Sequence, residues 1–142
     1  MRALLDVNVL LALMDSAHVH HGLALAWWRN ERDKGWASCP LTQNGFVRIA
    51  CHGGYAERPT AAQAVEQLRL QLEVPSHEFW PDDISIADAA LFDRAYILGP
   101  KQITDVYLLA LAVKNGGRFV TFDRSVPLRA VRAAEPKHLV ML

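Results

Sequence analysis

Cysteine is scarce. Cys39 and Cys51 are the only two in 142 residues, too few for a disulfide framework and without the C-x-x-C spacing of a thiolate metal centre. An excess of either charge is also missing. Lys+Arg 15 against Asp+Glu 15 leaves no net charge, which argues against a protein that coats DNA or RNA, although not against an enzyme that handles RNA locally. No apolar run is long enough to cross a bilayer, and no signal-peptide pattern opens the chain, so a cytoplasmic domain without membrane contact is expected. There is no G-x-G-x-x-G or P-loop to cradle a nucleotide, and Gly53-Gly54 and Gly116-Gly117 read as turns and caps. There is no G-x-S-x-G, and neither cysteine has an evident histidine partner, so a serine or cysteine nucleophile finds no motif.

What the chain has is apolar residues, 51% of it, enough for one domain over 1–142 to bury a core. "ALLD" (3–6) is a short continuous apolar run, which suits a strand buried on both faces, and "NVLLALM" follows as a short helix. Residues 18–34, "HVHHGLALAWWRNERDK", read as an amphipathic helix with Leu23, Trp27 and Trp28 on its apolar side, ended by Gly35. "WASC" (36–39) is a second strand, "PLTQNGFVRIAC" (40–51) a helix despite Gly45, and "HGGYAERP" a loop. Thr60 and Gln63 form a T-x-x-Q capping box, after which Ala61, Val65, Leu68 and Leu72 mark one helix face. "HEFW" (77–80) is a third strand, and Ser85 with Asp88 gives a capping signature for a helix over "IADAALFDRAYIL". Thr104 is placed to cap the long helix "DVYLLALAVKNGG". "RFVTFD" (118–123) and "HLVML" (138–142) are the last strands. Strands alternating with helices imply an α/β domain with a mostly parallel sheet of four to five strands.

Asp6 and Asp123 each end an apolar strand, "ALLD" and "FVTFD". In open parallel sheets the site lies beyond the carboxyl ends of the strands, so both side chains are expected in one crevice. Asp105 falls in the first turn of a helix, where the dipole and free N–H groups favour an ionised carboxylate. Three ionised acids in one cleft repel one another unless a divalent cation sits among them, and oxygen-only ligands select Mg²⁺, with Mn²⁺ as its substitute. Phosphodiester hydrolysis is the chemistry that most often uses such a site.

"LLDVNVLLAL", "WASCPLTQNGFVRI", "QITDVYLLALAVKNGG" and "RFVTFDRSV" stand in the order and spacing of the PIN-domain ribonucleases. Over essentially the whole chain the sequence resembles the VapC toxins of type II toxin–antitoxin systems. That resemblance implies a three-layer α/β/α fold and a Mg²⁺-dependent endoribonuclease that hydrolyses RNA with metal-activated water. It also implies a cytosolic homodimer held inactive by a cognate antitoxin. Asp6, Asp105 and Asp123 match three acidic, metal-binding positions of the family, Asn8 its supporting asparagine, and Thr121 its hydroxyl neighbour. The family's second acid, a glutamate, falls within "TQNG", where an ungapped reading gives Asn44 and a one-residue shift gives Gln43. Neither carries charge, so Asn44 enters the catalytic set only as a hydrogen-bonding amide. The competing readings are a degenerate domain that binds antitoxin or RNA without cleaving, and a metal-dependent phosphatase or DNA nuclease on a similar sheet. An aspartyl-phosphate mechanism would want a second aspartate where Asn8 stands.

Several features are assigned blander roles. "HVHH" (18–21) reads as a solvated or RNA-facing helix end rather than a metal cluster, and Trp27, Trp28 and Trp36 as core or interface packing rather than base stackers. Residues 73–105 hold seven acids against two bases, and 118–137 five bases against two acids, patterns that usually mark solvated faces.

Overall fold

The computed structural model describes residues 1–52 and 57–142. Five short strands, β1 (Ala3–Leu5), β2 (Trp36–Ser38), β3 (His77–Phe79), β4 (Arg118–Thr121) and β5 (Leu139–Met141), form one sheet in the order β3-β2-β1-β4-β5. Every neighbouring pair is parallel. The burial of each strand follows its place in that order. β1, β2 and the last three residues of β4 are buried throughout, with Ser38 and Thr121 as buried polar residues at the ends of β2 and β4, whereas the edge strands β3 and β5 are partly exposed.

Alternation across the pleat divides the core into two layers. Leu4, Ala37, Cys39 and Phe119 face the helix α5 (Ile103–Lys114), whose Val106, Leu108, Leu109, Ala110, Leu111 and Ala112 are all buried. Ala3, Leu5, Trp36 and Val120 face the other way, toward α1 (Val7–Met14), α2 (His21–Glu31), α3 (Pro40–Ala50) and α4 (Ala61–Leu72). Helices on both faces of a parallel sheet give the expected three layers.

The local chemistry departs from the sequence reading in several places. Residues 86–98 are not a helix. Ser85 Oγ accepts from Ala87 N and Asp88 Oδ1 from Ala90 N, so these side chains close successive tight turns instead of capping one helix. Phe92 is then drawn into an antiparallel bridge with Val131, and only Arg94–Tyr96 makes a single 3-10 turn. Thr104 is not the cap of α5, because a 3-10 turn at Pro100–Gln102 starts the helix earlier and puts Gln102 at its N-cap. α2 begins at His21 and leaves His18 and His20 in the preceding turns. Leu23 is exposed and Ala24 is the buried residue of this helix. On α4 the buried residues are Ala64 and Leu68, while Val65 is exposed; the Thr60–Gln63 capping box forms as read. Gly35 and Gly116 take the positive φ values of helix ends. Half of the expected loop at 52–59, residues 53–56 with Gly53-Gly54, lies outside the described residues.

Gly45 explains how a glycine serves inside α3. A Cβ there would stand 2.6 Å from Val7 Cγ2, so the absent side chain lets α3 lie directly against the first turn of α1. Gly45→Ala gains about 1 kcal/mol of helix propensity but forces a methyl onto a β-branched neighbour, and overpacking costs about 1–3 kcal/mol. The thermal midpoint of Gly45→Ala should therefore fall, and the double variant Val7→Ala/Gly45→Ala should recover much of the loss. An unchanged midpoint in the single variant would show that the two helices are not tightly opposed.

Candidate active site

The strand order reverses at β1, from which the chain builds outward to β2 and β3 on one side and to β4 and β5 on the other. The gap beyond the carboxyl ends of β1 and β4 is thus the switch point where open parallel sheets place their sites. Asp6 leaves β1 directly into this gap and caps α1. Asp123 follows β4 by two residues, and Asp105 enters from the first turn of α5.

Asp6 is 8% exposed and both its oxygens are engaged. Oδ1 accepts from Val7 N at 2.7 Å, and Oδ2 accepts from the fully buried Thr121 hydroxyl, also at 2.7 Å. The same hydroxyl accepts from Asp123 N at 3.0 Å, so one side chain fixes two acids. Asp123 is exposed, and its Oδ1 accepts from both Ser125 N and Ser125 Oγ, at 2.7 and 2.6 Å. Gln102, the cap of α5, donates from Nε2 to Ser125 O at 3.3 Å and so ties the helix of Asp105 to the loop of Asp123. Ser125 and Gln102 were not among the residues singled out in the sequence. The D-x-S spacing carries the signal for the first; nothing local marks the second.

The three acids feel one another. Burial raises the Asp105 carboxyl to about 7, and the charges of Asp6 and Asp123 and a shared hydrogen bond with Asp123 push the same way. Burial also raises Asp6, against the Thr121 and Val7 hydrogen bonds that favour its ionised form. The two bonds from Ser125 hold Asp123 below the usual carboxylate range. The Ser125 bonds therefore favour the charged form of Asp123, while Asp105 resists ionisation near neutrality.

The other nominated residues sit apart from this network. Asn8 is exposed in the first turn of α1 and makes no side-chain hydrogen bond among the described residues, so the brace on Asp6 is Thr121. Gln43 is half-buried and donates to Ser38 Oγ at 2.9 Å; Ser38 bonds His77 Nε2 and His77 Nδ1 bonds Leu72 O, a chain that leads toward α4. Asn44 is exposed without a hydrogen bond among the described residues. Trp36 is buried, and Trp27 and Trp28 pack against the same core cluster, as expected of packing residues.

Among the described residues, no three His, Cys, Asp or Glu side chains close into a group that could hold a metal on their own. The donor set still fits a hard cation. It consists of carboxylate oxygens alone, and burial with mutual repulsion raises the carboxyls of Asp6 and Asp105, a repulsion that a positive charge would relieve. Mg²⁺ usually binds through one or two carboxylates plus waters and phosphate oxygens, so it needs no closed cage.

The model of the PIN domain matches residues 3–133. Ribonuclease VapC44 of Mycobacterium tuberculosis is 51% identical over 142 residues, all of both chains. Ribonuclease VapC39 of the same organism is 41% identical over 127 residues, 89% of this chain and 91% of its own. A crystal structure of Mycobacterium tuberculosis VapC20, described as a sarcin–ricin loop cleaving toxin, overlays with a TM-score of 0.54 at 14% identity, covering 82% of this chain and 85% of that one, and shares the fold. With a family match across nearly its whole length and half its residues in common with one full-length relative, the chain belongs to the PIN-domain family, among the VapC ribonucleases.

Proposed function

We infer that this protein is a metal-dependent endoribonuclease that hydrolyses RNA phosphodiesters as the toxin of a type II toxin–antitoxin pair. The observation that carries the reading is the meeting of Asp6, Asp105 and Asp123 at the switch point of the sheet. A degenerate, non-cleaving domain has only the uncharged Gln43 and Asn44 in its favour, and three mutually interacting acids oppose it.

Asp6, Asp105 and Asp123 would hold Mg²⁺ or Mn²⁺, which when bound neutralises phosphate charge and lowers the pKa of water. Thr121 locks the Asp6 carboxylate so that its remaining lone pairs face the gap. Ser125 keeps Asp123 ionised. Asp105, whose carboxyl is raised to about 7 by burial and its acidic neighbours, would have to ionise to ligate a cation, so its ionisation would be linked to metal binding. The partners are RNA and a cognate antitoxin, whose cationic side chain would compete for the same acids. The protein acts in the cytoplasm as a homodimer joined through helical faces.

Cleavage of RNA should require Mg²⁺ or Mn²⁺ and stop in excess EDTA; undiminished cleavage in chelator would refute the metal assignment.

Asp105→Asn removes one charge and keeps the shape of the side chain. Activity and growth inhibition should disappear at equal soluble levels, and persistent toxicity would remove Asp105 from the catalytic set. The same variant reads out the electrostatics. A carboxyl raised from 3.8 to about 7 in the fold contributes stability that is full below pH 4 and is lost as pH rises through 7. Without metal, the wild-type thermal midpoint should therefore fall between pH 5 and pH 8. Asp105→Asn should show a flatter profile and a higher midpoint at pH 8.

For the missing acid, Asn44→Glu should lower the Mg²⁺ needed for half-maximal activity with little change in the thermal midpoint. Gln43→Glu loses the bond to Ser38 and should cost about 1 kcal/mol of stability. A titration in which only Gln43→Glu lowers the Mg²⁺ requirement would put Gln43 in the family's acidic position.

A further inference from the structure

From the residue next to Asp123 in the chain extends a small, partly exposed aromatic cluster that the proposed chemistry does not use. Phe122 stands between Thr121, which holds Asp6, and Asp123. Its side chain packs toward the α1 and α2 layer. The His20 ring stacks on it with centroids 4.7 Å apart and planes 29° apart, and the His18 ring lies 6.5 Å away at 17°. The two imidazoles are 5.8 Å apart. His20 is exposed, and His18 and Phe122 are half-buried.

The loop that carries the histidines is held by its own turns. Asp15 Oδ1 accepts from Ala17 N at 2.9 Å, Asp15 O accepts from His18 N at 3.1 Å, and His18 Nδ1 accepts from His20 N at 3.0 Å. His21 anchors the next turn by bonding Ala12 O through Nδ1 at 2.7 Å. The rings are thus pre-positioned before anything binds. A transition-metal role does not fit, because His18 Nδ1 is already an acceptor and no metal-holding group of three exists among the described residues.

Single-stranded RNA is recognised chiefly by stacking unpaired bases on aromatic faces. Phe122 directly precedes Asp123 and directly follows Thr121, so the platform is anchored on the same end of β4 that carries the acid. The chain has no net positive charge, so base stacking would add affinity that overall charge does not supply. The tryptophans cannot provide it, since Trp36 is buried and Trp27 and Trp28 are packed into the core layer.

We propose that His20, backed by Phe122 and set by His18, is a stacking platform for an unpaired base next to the scissile phosphate. This rests on the reading of the protein as a ribonuclease. His20 is a substrate-binding residue in this scheme, and His18 positions it.

The test uses the full-length protein and single-stranded RNA oligonucleotides carrying either 2-aminopurine or an abasic nucleotide at successive positions around the cut. Wild-type protein should quench 2-aminopurine at one position, and His20→Ala should not. KM for the base-bearing RNA should rise roughly five- to 150-fold in His20→Ala, the range of a lost base stack, with kcat little changed. His20→Trp should restore both signals. On RNA abasic at that position, wild type and His20→Ala should cleave alike, an outcome that a merely structural role for His20 would not give. An equal loss on base-bearing and abasic RNA, or unaltered KM in His20→Ala, overturns the platform while leaving the ribonuclease intact. Weakened binding of a co-expressed protein partner with RNA cleavage unchanged assigns the cluster to that partner and likewise overturns it. A wild-type protein that neither cleaves nor binds RNA removes the ribonuclease reading itself.

Discussion

The bond from the buried Thr121 hydroxyl to the Asp6 carboxylate is the constraint around which this molecule is arranged. It spans 115 positions of sequence and joins the ends of the two strands at which the sheet changes direction. A carboxylate that is 8% exposed needs partners, and here both come from the fold itself: a hydroxyl from β4 and the first amide of α1. Because Thr121 also accepts from the Asp123 amide, moving either strand would disturb both acids together. The parallel pairing of β1 with β4, in register from Ala3 with Arg118 to Leu5 with Val120, is what makes this geometry possible.

Around that bond the acids are supported unequally. Asp6 is pinned and buried, Asp123 is exposed and held charged by Ser125, and Asp105 carries the electrostatic conflict. Gln102 connects the supports of Asp105 and Asp123 by bonding the Ser125 carbonyl from the cap of α5. The site therefore has one rigid member and two that depend on the meeting of a helix start with a loop.

Much of this was legible in the sequence where one local rule decided the outcome. The central strands announced themselves as unbroken apolar runs because both of their faces are covered, and Asp6 and Asp123 were readable as the residues that end them. The failures have tertiary causes. Residues 86–98 carry a helix-like capping pattern, but the bridge from Phe92 to Val131 takes their backbone elsewhere, and no periodicity in the segment reports a partner 39 residues away. Thr104 looked like a cap because a proline-led 3-10 turn upstream cannot be distinguished from a loop in sequence. Leu23 and Val65 match a helical stripe and remain exposed, since which side of a helix is covered depends on neighbours that the stripe does not name. Asn8 lay in the right motif yet faces solvent, and the bracing role passed to a hydroxyl on another strand.

The long separation between Asp6 and its partner also has a consequence in time. A ribosome adding about 5–20 residues per second reaches Thr121 roughly 6–23 seconds after it has made Asp6. Until then β1 has no β4 beside it, the carboxylate has no hydroxyl to orient it, and Asp123 does not yet exist. The growing chain thus passes most of its synthesis without an assembled acidic centre. A centre built this way cannot be complete until the final strands have been delivered.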